Sequence, residues 1–361
     1  MRALAMFPSE RELRIVEMRA PTTVGPTEVM VRIREVGVCG TDREILELKH
    51  GAPPQGSERL VLGHEAFGEV VAIGPDVKSL HVGDLVALTV RRPCNVPTCA
   101  ACRAGRQDFC TTGAFRECGI LGADGFMTEL VVEDEHYVVP VPKALEEVGV
   151  LVEPLSVASK AGEELDAILR RYPWEPTRMR ALVLGAGPIG LLAAMMLVAR
   201  EVDVVMYSLE PADSERARMV ESFGGTYVSA RDVQLDELPR RIGKTDLIFE
   251  AVGHSGVAFG SLAALAPNGI CIFSGLPAGA GPTEVQLDGI MRNLVLQNQV
   301  VLGTVNAGRR AFAAAVRQLE QFETLFPEPL NGLITERVTL EQAPELLRHP
   351  RGIKQVVTFA T

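Results

Sequence analysis

A regular alternation of short apolar strands and helices fills the second half of the chain and constrains the fold more than any other feature. Segments with the composition of buried strands cover residues 181–184, 203–208, 247–252, 270–274 and 300–304. The segments between them have helical spacing. Strands joined in this order by helices pair in parallel through crossover connections. We therefore predict a doubly wound α/β domain with a parallel sheet over residues 179–305.

A glycine-rich loop connects the first of these strands to the first helix. The sequence Gly-Ala-Gly-Pro-Ile-Gly follows strand 181–184 and precedes an apolar helix rich in small residues. In a dinucleotide-binding loop, the first glycine permits a tight turn and the second lets the backbone approach a pyrophosphate. The third allows the helix to pack closely on the strand. We expect NAD or NADP to bind at this loop, through Gly185, Gly187, Pro188, Ile189 and Gly190.

The end of the second strand bears on the choice between NAD and NADP. An acidic residue there accepts hydrogen bonds from the ribose hydroxyls of NAD and repels the 2′-phosphate of NADP. Ser208 stands at the expected position and Glu210 follows two residues later, while Arg216 or Arg218 could serve a 2′-phosphate. The sequence therefore leaves this choice open. The predicted cofactor-binding residues beyond the glycine loop are Ser208, Glu210, Phe273, Gly275, Val305 and Asn306.

The first 140 residues have a different pattern. Glycine and proline divide them into short segments rich in valine and isoleucine, typical of a β-rich domain, at 28–38, 67–73, 85–90 and 126–132. A Pro-Trp-Glu-Pro linker at 173–176 separates this half from the next. The tail after residue 305 is short for a domain of its own. We predict one split domain, residues 1–178 and 306–361, with the nucleotide-binding domain inserted between its parts.

Four of the seven cysteines fall within one 17-residue stretch. Their spacing, Cys-x4-Cys-x2-Cys-x7-Cys, lies in a loop flanked by arginine and glycine, without the apolar periodicity of a core segment. Four thiolates satisfy a tetrahedral zinc ion and leave no open position, as in structural zinc sites. An iron–sulfur cluster and four free surface thiols are the alternatives. The predicted ligands of this structural zinc are Cys94, Cys99, Cys102 and Cys110.

A second set of potential metal ligands is dispersed along the chain. Taken singly, a cysteine such as Cys39 is usually a core residue, and a histidine such as His64 is usually a hydrogen-bonded polar one. Together they offer one soft donor and several harder ones, which suits a catalytic zinc that keeps one position for water or substrate. The residues concerned are Cys39, His64, Glu65 and Glu153.

Charge and the lengths of apolar runs exclude several classes of partner. The chain has 46 acidic and 36 basic residues, for a net charge of −10. Its bulk electrostatics would not attract nucleic acid or an anionic membrane. No apolar run approaches the length that crosses a bilayer, and the N-terminus lacks the apolar region of a secretory signal. Because the clustered cysteines indicate metal binding rather than disulfides, we expect a cytoplasmic protein with a small-molecule substrate.

Taken together, these motifs resemble those of the zinc-dependent medium-chain dehydrogenase/reductases, and among them the microbial glucose dehydrogenases. The resemblance covers essentially the whole chain. It includes the cysteine loop, the glycine loop, Gly-Val-Cys-Gly-Thr-Asp at 37–42, Gly-His-Glu-Ala-Phe-Gly-Glu at 63–69, Glu-Pro-Leu at 153–155 and Leu-Gly-Thr-Val-Asn at 302–306. It implies a GroES-like β-rich catalytic domain, an inserted Rossmann domain with a doubly wound six-stranded parallel sheet, and two zinc ions per chain.

The resemblance also implies roles for individual residues. Cys39 and His64 would be catalytic zinc ligands, with Glu65 as a third ligand or a close neighbour of the metal. Glu153 would approach the metal directly or through water, and Thr41 would accept the proton of the reacting hydroxyl. The substrate-binding residues that the resemblance implies are Thr41, Glu117, Glu153 and Asn306.

The chain departs from the family pattern at three places. The first two cysteines of the loop are separated by four residues, where two are usual. Ser208 and Leu209 replace the Asn-Arg pair of NADP-preferring members, which favours NAD or the use of both cofactors. Glu44 stands where many alcohol dehydrogenases have a proton-relaying histidine.

We therefore predict an enzyme that uses NAD or NADP to oxidise the C1 hydroxyl of an aldose, foremost D-glucose to gluconolactone. A polyol, threonine or simple alcohol dehydrogenase of the same family is the alternative among enzymes. A catalytically silent nucleotide-binding structural protein is the alternative from another class, and the open-type set of zinc ligands disfavours it. The resemblance further implies a homodimer or homotetramer, formed through the strand near 295–305.

Overall fold

The computed structural model describes residues 1–174, 178–277, 279 and 281–360, so that part of the predicted linker at 173–176 lies outside the described residues. The chain divides into two compact units. The first comprises Met1–Ser156, Asn306–Glu320 and Leu333–Thr361, and the second comprises Val157–Val305 and Gln321–Gly332. The first stretch of the first unit ends at Ser156, whereas the predicted domain boundary is residue 178. The reason is that one helix starts in the first unit and continues in the second, where Gly162 packs beside Met196.

The regular elements, in chain order, have the following bounds. The strands are β1 (Arg2–Phe7), β2 (Glu12–Glu17), β3 (Glu28–Gly37), β4 (Leu60–Val61), β5 (Glu65–Ile73), β6 (Leu85–Leu88), β7 (Arg91–Arg92), β8 (Arg116–Cys118), β9 (Gly122–Ala123), β10 (Leu130–Asp134), β11 (Val138–Pro140), β12 (Arg180–Leu184), β13 (Asp203–Ser208), β14 (Thr226–Ser229), β15 (Thr245–Glu250), β16 (Leu265–Phe273), β17 (Val300–Gly303), β18 (Ile334–Thr339) and β19 (Lys354–Thr358). The α-helices are α1 (Gly40–Leu46), α2 (Ala100–Arg103), α3 (Val152–Leu169), α4 (Pro188–Ala199), α5 (Glu215–Ser222), α6 (Leu238–Ile242), α7 (Ser255–Ser261), α8 (Leu287–Leu296), α9 (Arg309–Leu325), α10 (Pro327–Gly332) and α11 (Ala343–Arg348).

The second unit contains a six-stranded sheet in the order β14-β13-β12-β15-β16-β17, and all of its neighbouring strands run parallel. This confirms the predicted fold class. Its core consists of buried strand residues such as Leu182, Ile248 and Cys271. The apolar runs form buried strands here because helices joined by crossovers cover both faces of a parallel sheet.

The first unit is built around a seven-stranded sheet in the order β11-β6-β5-β3-β19-β18, with β10 also paired to β3. The tail strand β19 runs antiparallel to β3, with Val357 opposite Val36. Two three-stranded sheets, β2-β1-β4 and β7-β8-β9, complete the strands of this unit. The predicted strands at 28–38, 67–73 and 85–90 correspond to β3, β5 and β6, whereas the strand predicted at 126–132 lies further on, in β10.

None of the helices in the described ranges combines the length and apolar character needed to cross a membrane.

Candidate active site and metal centres

Cys39, His64 and Glu65 converge at one edge of the seven-stranded sheet. β3 ends at Gly37 and β5 begins at Glu65, and these two residues are partners in the antiparallel register. Cys39 lies two residues beyond β3 as the N-cap of α1, and His64 directly precedes β5. One sulfur, one imidazole nitrogen and one carboxylate oxygen from these residues lie within 4.8 Å of one another. The sheet register therefore brings three of the predicted zinc ligands together.

Asp42, in the first turn of α1, contacts two of these three residues and is completely buried. Its Oδ2 accepts a hydrogen bond from the Cys39 backbone N–H at 2.9 Å, and its Oδ1 faces Nδ1 of His64 at 3.6 Å. Burial opposes a positive charge on His64, but Asp42 and then Cys39 raise its pKa well above the usual value. The cluster thus attracts positive charge, and a carboxylate facing one histidine nitrogen is typical of metal-binding histidines. Thiolate, imidazole and carboxylate fit zinc and leave one position of its tetrahedron open.

Lys354 belongs to the same cluster, although the sequence pattern did not single it out. It is buried at the start of β19, forms an ion pair with Glu65, and donates a hydrogen bond to the Val38 carbonyl oxygen at 2.9 Å. Burial would lower the pKa of Lys354, but the Glu65 carboxylate raises it. A lysine at the start of a predicted strand is ordinarily exposed, so local pattern gives no signal for this residue.

Glu153 and Thr41 lie near the donor cluster. Burial, followed by the Glu65 carboxylate, raises the pKa of Glu153 to about 7. Glu153 is not one of the three residues whose donor atoms lie within 4.8 Å of one another. The Cys39 thiol donates to Oγ1 of Thr41 at 3.8 Å, which places a hydroxyl beside the predicted zinc ligands.

The four-cysteine loop also brings its predicted ligands together. Donor atoms of Cys94, Cys99, Cys102 and Cys110 all lie within 4.8 Å of one another. Backbone N–H groups, first that of Cys102, lower the pKa of Cys99 to about 5. Hydrogen bonds from backbone N–H groups favour the thiolate, which is the form that binds metal. Four thiols in this arrangement fit a closed tetrahedral zinc site, with the longer first spacing accommodated in the loop.

Glu117 and Asn306, both predicted to bind substrate, are hydrogen-bonded to each other across 189 positions of sequence. Nδ2 of Asn306 donates to Oε1 of Glu117 at 2.8 Å. Arg91 donates to the same oxygen from Nε at 3.1 Å and from Nη2 at 2.9 Å. Oδ1 of Asn306 is buried and has no hydrogen-bond partner among the residues that the structure describes. Arg91 was absent from the predicted site residues, because its pairing depends on sheet register.

The glycine loop follows β12 and opens α4, as predicted. Gly185 has φ of +95°, and a Cβ on Gly190 would lie 2.0 Å from the Gly185 carbonyl oxygen, so neither position readily accepts a side chain. A Cβ on Gly187 would meet no atom of the described residues within 4 Å. The backbone at Gly187 is therefore open to an approaching pyrophosphate, in front of the N-terminus of α4.

Glu210 lies just beyond β13 and is held by three neighbours. Ser208 Oγ donates to its Oε2 at 2.6 Å, and Arg216 Nη1 donates to its Oε1 at 2.7 Å. The Tyr227 hydroxyl donates to its backbone carbonyl at 3.0 Å. Ser208 Oγ in turn accepts from the Ala186 backbone N–H in the glycine loop, at 3.2 Å. An ordered carboxylate therefore stands close to the loop that would hold the cofactor.

Three more predicted cofactor residues share one cavity in the second unit. Phe273, Gly275 and Val305 line a cavity of about 350 Å³, together with Glu250. Oε1 of Glu250 accepts two backbone N–H groups at 2.7 Å each, which keeps this buried carboxylate satisfied. The cavity lies at the carboxyl ends of β15 and β16, where parallel α/β sheets bind ligands.

Two family models match the chain. The alcohol dehydrogenase GroES-like domain matches residues 25–143, and the glucose dehydrogenase C-terminus matches residues 146–359. Among curated relatives, the glucose 1-dehydrogenase of Thermoproteus tenax is 40% identical over 352 residues, which cover 96% of this chain and 95% of the relative. The glucose 1-dehydrogenase of Methanocella arvoryzae is 38% identical over 349 residues, 96% of each chain.

A solved structure that matches the chain is also a glucose dehydrogenase. Haloferax mediterranei glucose dehydrogenase in complex with NADP, Zn and gluconolactone matches with a TM-score of 0.91 and 33% identity, over 100% of both chains. The expected GroES-like and Rossmann folds are thereby confirmed. The chain belongs to the zinc-dependent medium-chain dehydrogenase/reductase family, in its glucose dehydrogenase branch.

Proposed function

We propose that this protein is a zinc-dependent glucose 1-dehydrogenase that converts D-glucose and NAD(P)⁺ to gluconolactone, NAD(P)H and a proton. The buried cluster of Cys39, His64 and Glu65 carries the proposal, because three unlike donors leave a coordination position that a binding module has no need for. Curated relatives at 38–40% identity are glucose 1-dehydrogenases, and the Haloferax relative holds the lactone that this reaction forms.

The residues around the cluster have separable roles in this reaction. When bound, zinc polarises the C1 hydroxyl as a Lewis acid and the nicotinamide accepts the hydride. Cys39 and His64 hold the metal, and Asp42 keeps the His64 imidazole in orientation. Thr41 accepts a hydrogen bond from the reacting hydroxyl, since its own hydroxyl lies beside the Cys39 sulfur.

Recognition of the sugar falls to Glu117, Asn306 and Glu153. Glu117 and Asn306 form one hydrogen-bonded group, and Glu153 lies within electrostatic range of the donor cluster. A site built from polar groups rejects an analogue that lacks a hydroxyl far better than an apolar pocket does, because the polar groups are then left unpaired.

The four-cysteine loop holds a second zinc with a structural role, since a closed set of four thiolates leaves no position for substrate. Both proposed metal sites require reduced thiols, and all seven cysteines are free. We therefore place the protein in a reducing compartment, the cytoplasm. Recovery of active protein from an oxidising compartment would contradict this placement.

Substrate-dependent formation of NAD(P)H tests the proposal. With two zinc ions per chain confirmed by metal analysis, we expect glucose to give a higher kcat/KM than galactose, xylose, sorbitol or threonine. Chelation of the metal should abolish the activity and zinc should restore it. If the fully metallated protein oxidises no aldose, the sugar assignment is wrong. A clear preference for sorbitol or threonine would instead move the protein to the polyol or threonine branch.

The arrangement at Glu210 favours NAD over NADP. A carboxylate fixed beyond β13 accepts ribose hydroxyls and repels a 2′-phosphate, and Arg216 is engaged with that carboxylate. We expect Glu210→Ser to remove the carboxylate that repels a 2′-phosphate and to raise the ratio of kcat/KM for NADP to that for NAD by about 10-fold, the effect of losing one charged contact. Glu215→Ser, on the exposed first turn of α5, is the control and should leave the ratio unchanged. An unchanged ratio in Glu210→Ser would remove Glu210 from cofactor selection.

We also propose that the protein forms a homodimer or homotetramer through the edge of the six-stranded sheet. Apolar residues spaced four apart on α8 are exposed, namely Leu287 at 63%, Met291 at 68% and Val295 at 67%. α8 precedes the edge strand β17, so a second copy could cover both. Sedimentation should show an oligomer that Met291→Lys dissociates. A wild-type monomer at micromolar concentration would contradict this.

A further inference from the structure

Arg91 and Glu117 face each other at the base of the four-cysteine loop. They are direct partners in the antiparallel pair of β7 and β8, the strands that flank the loop, and both are only 8% exposed. Three donors converge on one oxygen of Glu117: Nε and Nη2 of Arg91, and Nδ2 of Asn306. Such a concentration of donors on a single carboxylate oxygen fixes the rotamer of Glu117.

The second oxygen of Glu117 is left for a ligand. Among the described residues, no side chain or backbone group donates a hydrogen bond to Oε2. Buried polar atoms that lack a hydrogen-bond partner do not include Oε2 of Glu117. Because Oε2 has no such partner among the described residues, it must retain access to solvent. A fixed carboxylate oxygen that is open to solvent accepts hydroxyl groups of a polar ligand with little loss of side-chain entropy.

The cysteine loop and the segment after it hold Arg91 itself. Its Nη1 donates to the backbone carbonyl of Asp108 at 3.2 Å, and its guanidinium lies over the Phe115 ring at 3.7 Å from the centroid. The Gln107 amide donates to the Arg91 carbonyl oxygen at 3.4 Å. Gln107 and Asp108 lie between the third and fourth cysteines of the loop. The loop therefore sets the position of the guanidinium that in turn sets Glu117.

We infer that Arg91 is a positioning residue for sugar recognition, which holds Oε1 of Glu117 against the protein so that Oε2 faces a substrate hydroxyl. This inference rests on the proposed function. It adds a second role to the four-cysteine loop, because the loop keeps the sugar-binding carboxylate in place as well as closing the chain on itself. The planar fork of arginine is required, since a lysine ammonium cannot hydrogen-bond a carboxylate and a carbonyl in fixed directions while stacking over an aromatic ring.

A double-mutant cycle between positions 91 and 117 tests the inference, with Arg92 as the matched control. Arg92 is also buried and lies over the Tyr137 ring, but its ion pair is with Glu133, at 3.0 Å, rather than with Glu117. We expect Arg91→Met to raise KM for glucose about 10- to 100-fold, the effect of losing a charged hydrogen bond, with a smaller change in kcat. Arg92→Met should leave KM for glucose near the wild-type value, and both variants should keep two zinc ions per chain.

The effect of Arg91→Met on KM for glucose in a Glu117→Gln background decides whether Arg91 acts through Glu117. If Arg91 acts through Glu117, Arg91→Met should have little further effect on KM in a Glu117→Gln background. Additive effects in the double variant, or equal KM changes for glucose in Arg91→Met and Arg92→Met, would overturn the inference while leaving the proposed function intact. If Arg91→Met does not fold, Arg91→Lys and Phe115→Leu replace it in the same cycle with smaller expected KM changes. A wild-type protein that oxidises no aldose would overturn the proposed function and this inference with it.

Discussion

The two cysteine-containing clusters of the first unit differ in how the chain assembles them. The four-cysteine loop takes its ligands from 17 consecutive residues, and all of them are thiols. The cluster around His64 takes a thiol, an imidazole and a carboxylate from two separate segments, among the ionisable groups of Asp42, Glu153 and Lys354. Four identical donors close a loop and complete a metal shell, whereas three unlike donors in a buried, charged environment leave a position for chemistry. Damage to the loop should therefore cost stability, and damage to the cluster should cost turnover.

The largest effect should follow from removing a ligand of the buried cluster. We expect His64→Ala to lower kcat/KM for glucose at least about 1,000-fold, because Lewis-acid catalysis is worth several kcal/mol. Zinc content should fall from two ions per chain to one. His81→Ala is the control, since the His81 side chain is 81% exposed. The far-ultraviolet circular dichroism of His64→Ala should match that of the wild type, which shows that the variant folds. Full activity in this variant would contradict the distinction between a catalytic and a structural cluster.

The second-largest effect should follow from removing a buried charge beside the His64 cluster. Lys354→Met should lower the free energy of unfolding by about 3–5 kcal/mol, because it leaves the buried Glu65 carboxylate without its ion-pair partner. The side chains of this pair are both 2% exposed, whereas those of Lys49 and Glu47 are 53% and 56% exposed. Urea unfolding of Lys354→Met and of the control Lys49→Met measures the difference. Equal free energies of unfolding for Lys354→Met and Lys49→Met would show that the buried ion pair of Lys354 does not stabilise the fold more than the exposed one.

A smaller loss of stability should follow from opening the four-cysteine loop. Cys102→Ala removes one ligand of a cross-link that spans 17 residues, and in the chain-entropy model a cross-link closing a loop of this size is worth about 3 kcal/mol. Zinc content should fall by one ion, and kcat should change much less than in His64→Ala. Ala101→Ser, in the same short helix, is the control. If Cys102→Ala instead keeps its unfolding midpoint and both zinc ions, the loop is not a metal site.

Local sequence patterns predict much of the fold because strands, helices and the glycine loop depend on near neighbours along the chain. The alternation of apolar segments predicts the parallel sheet, yet it does not reveal β14 or β18. Both are edge strands, at one end of the six-stranded and of the seven-stranded sheet respectively. Edge strands are exposed along one side and therefore carry polar residues, as in Thr226–Ser229, so they lack the apolar signal of central strands.

The types and local spacing of the chemical groups were determined by the sequence alone: four thiols in one loop, a glycine loop between strand and helix, and donors suited to zinc. Only the tertiary structure decided which distant groups meet. Lys354 reaches the Val38 carbonyl across 316 positions, and Asn306 reaches Glu117 across 189. These pairs depend on strand order and register, which arise from packing of the whole sheet rather than from any local pattern. The ligands could therefore be predicted from short motifs, whereas the charged side chains that orient them, Lys354 and Arg91 in particular, became apparent only in the folded chain.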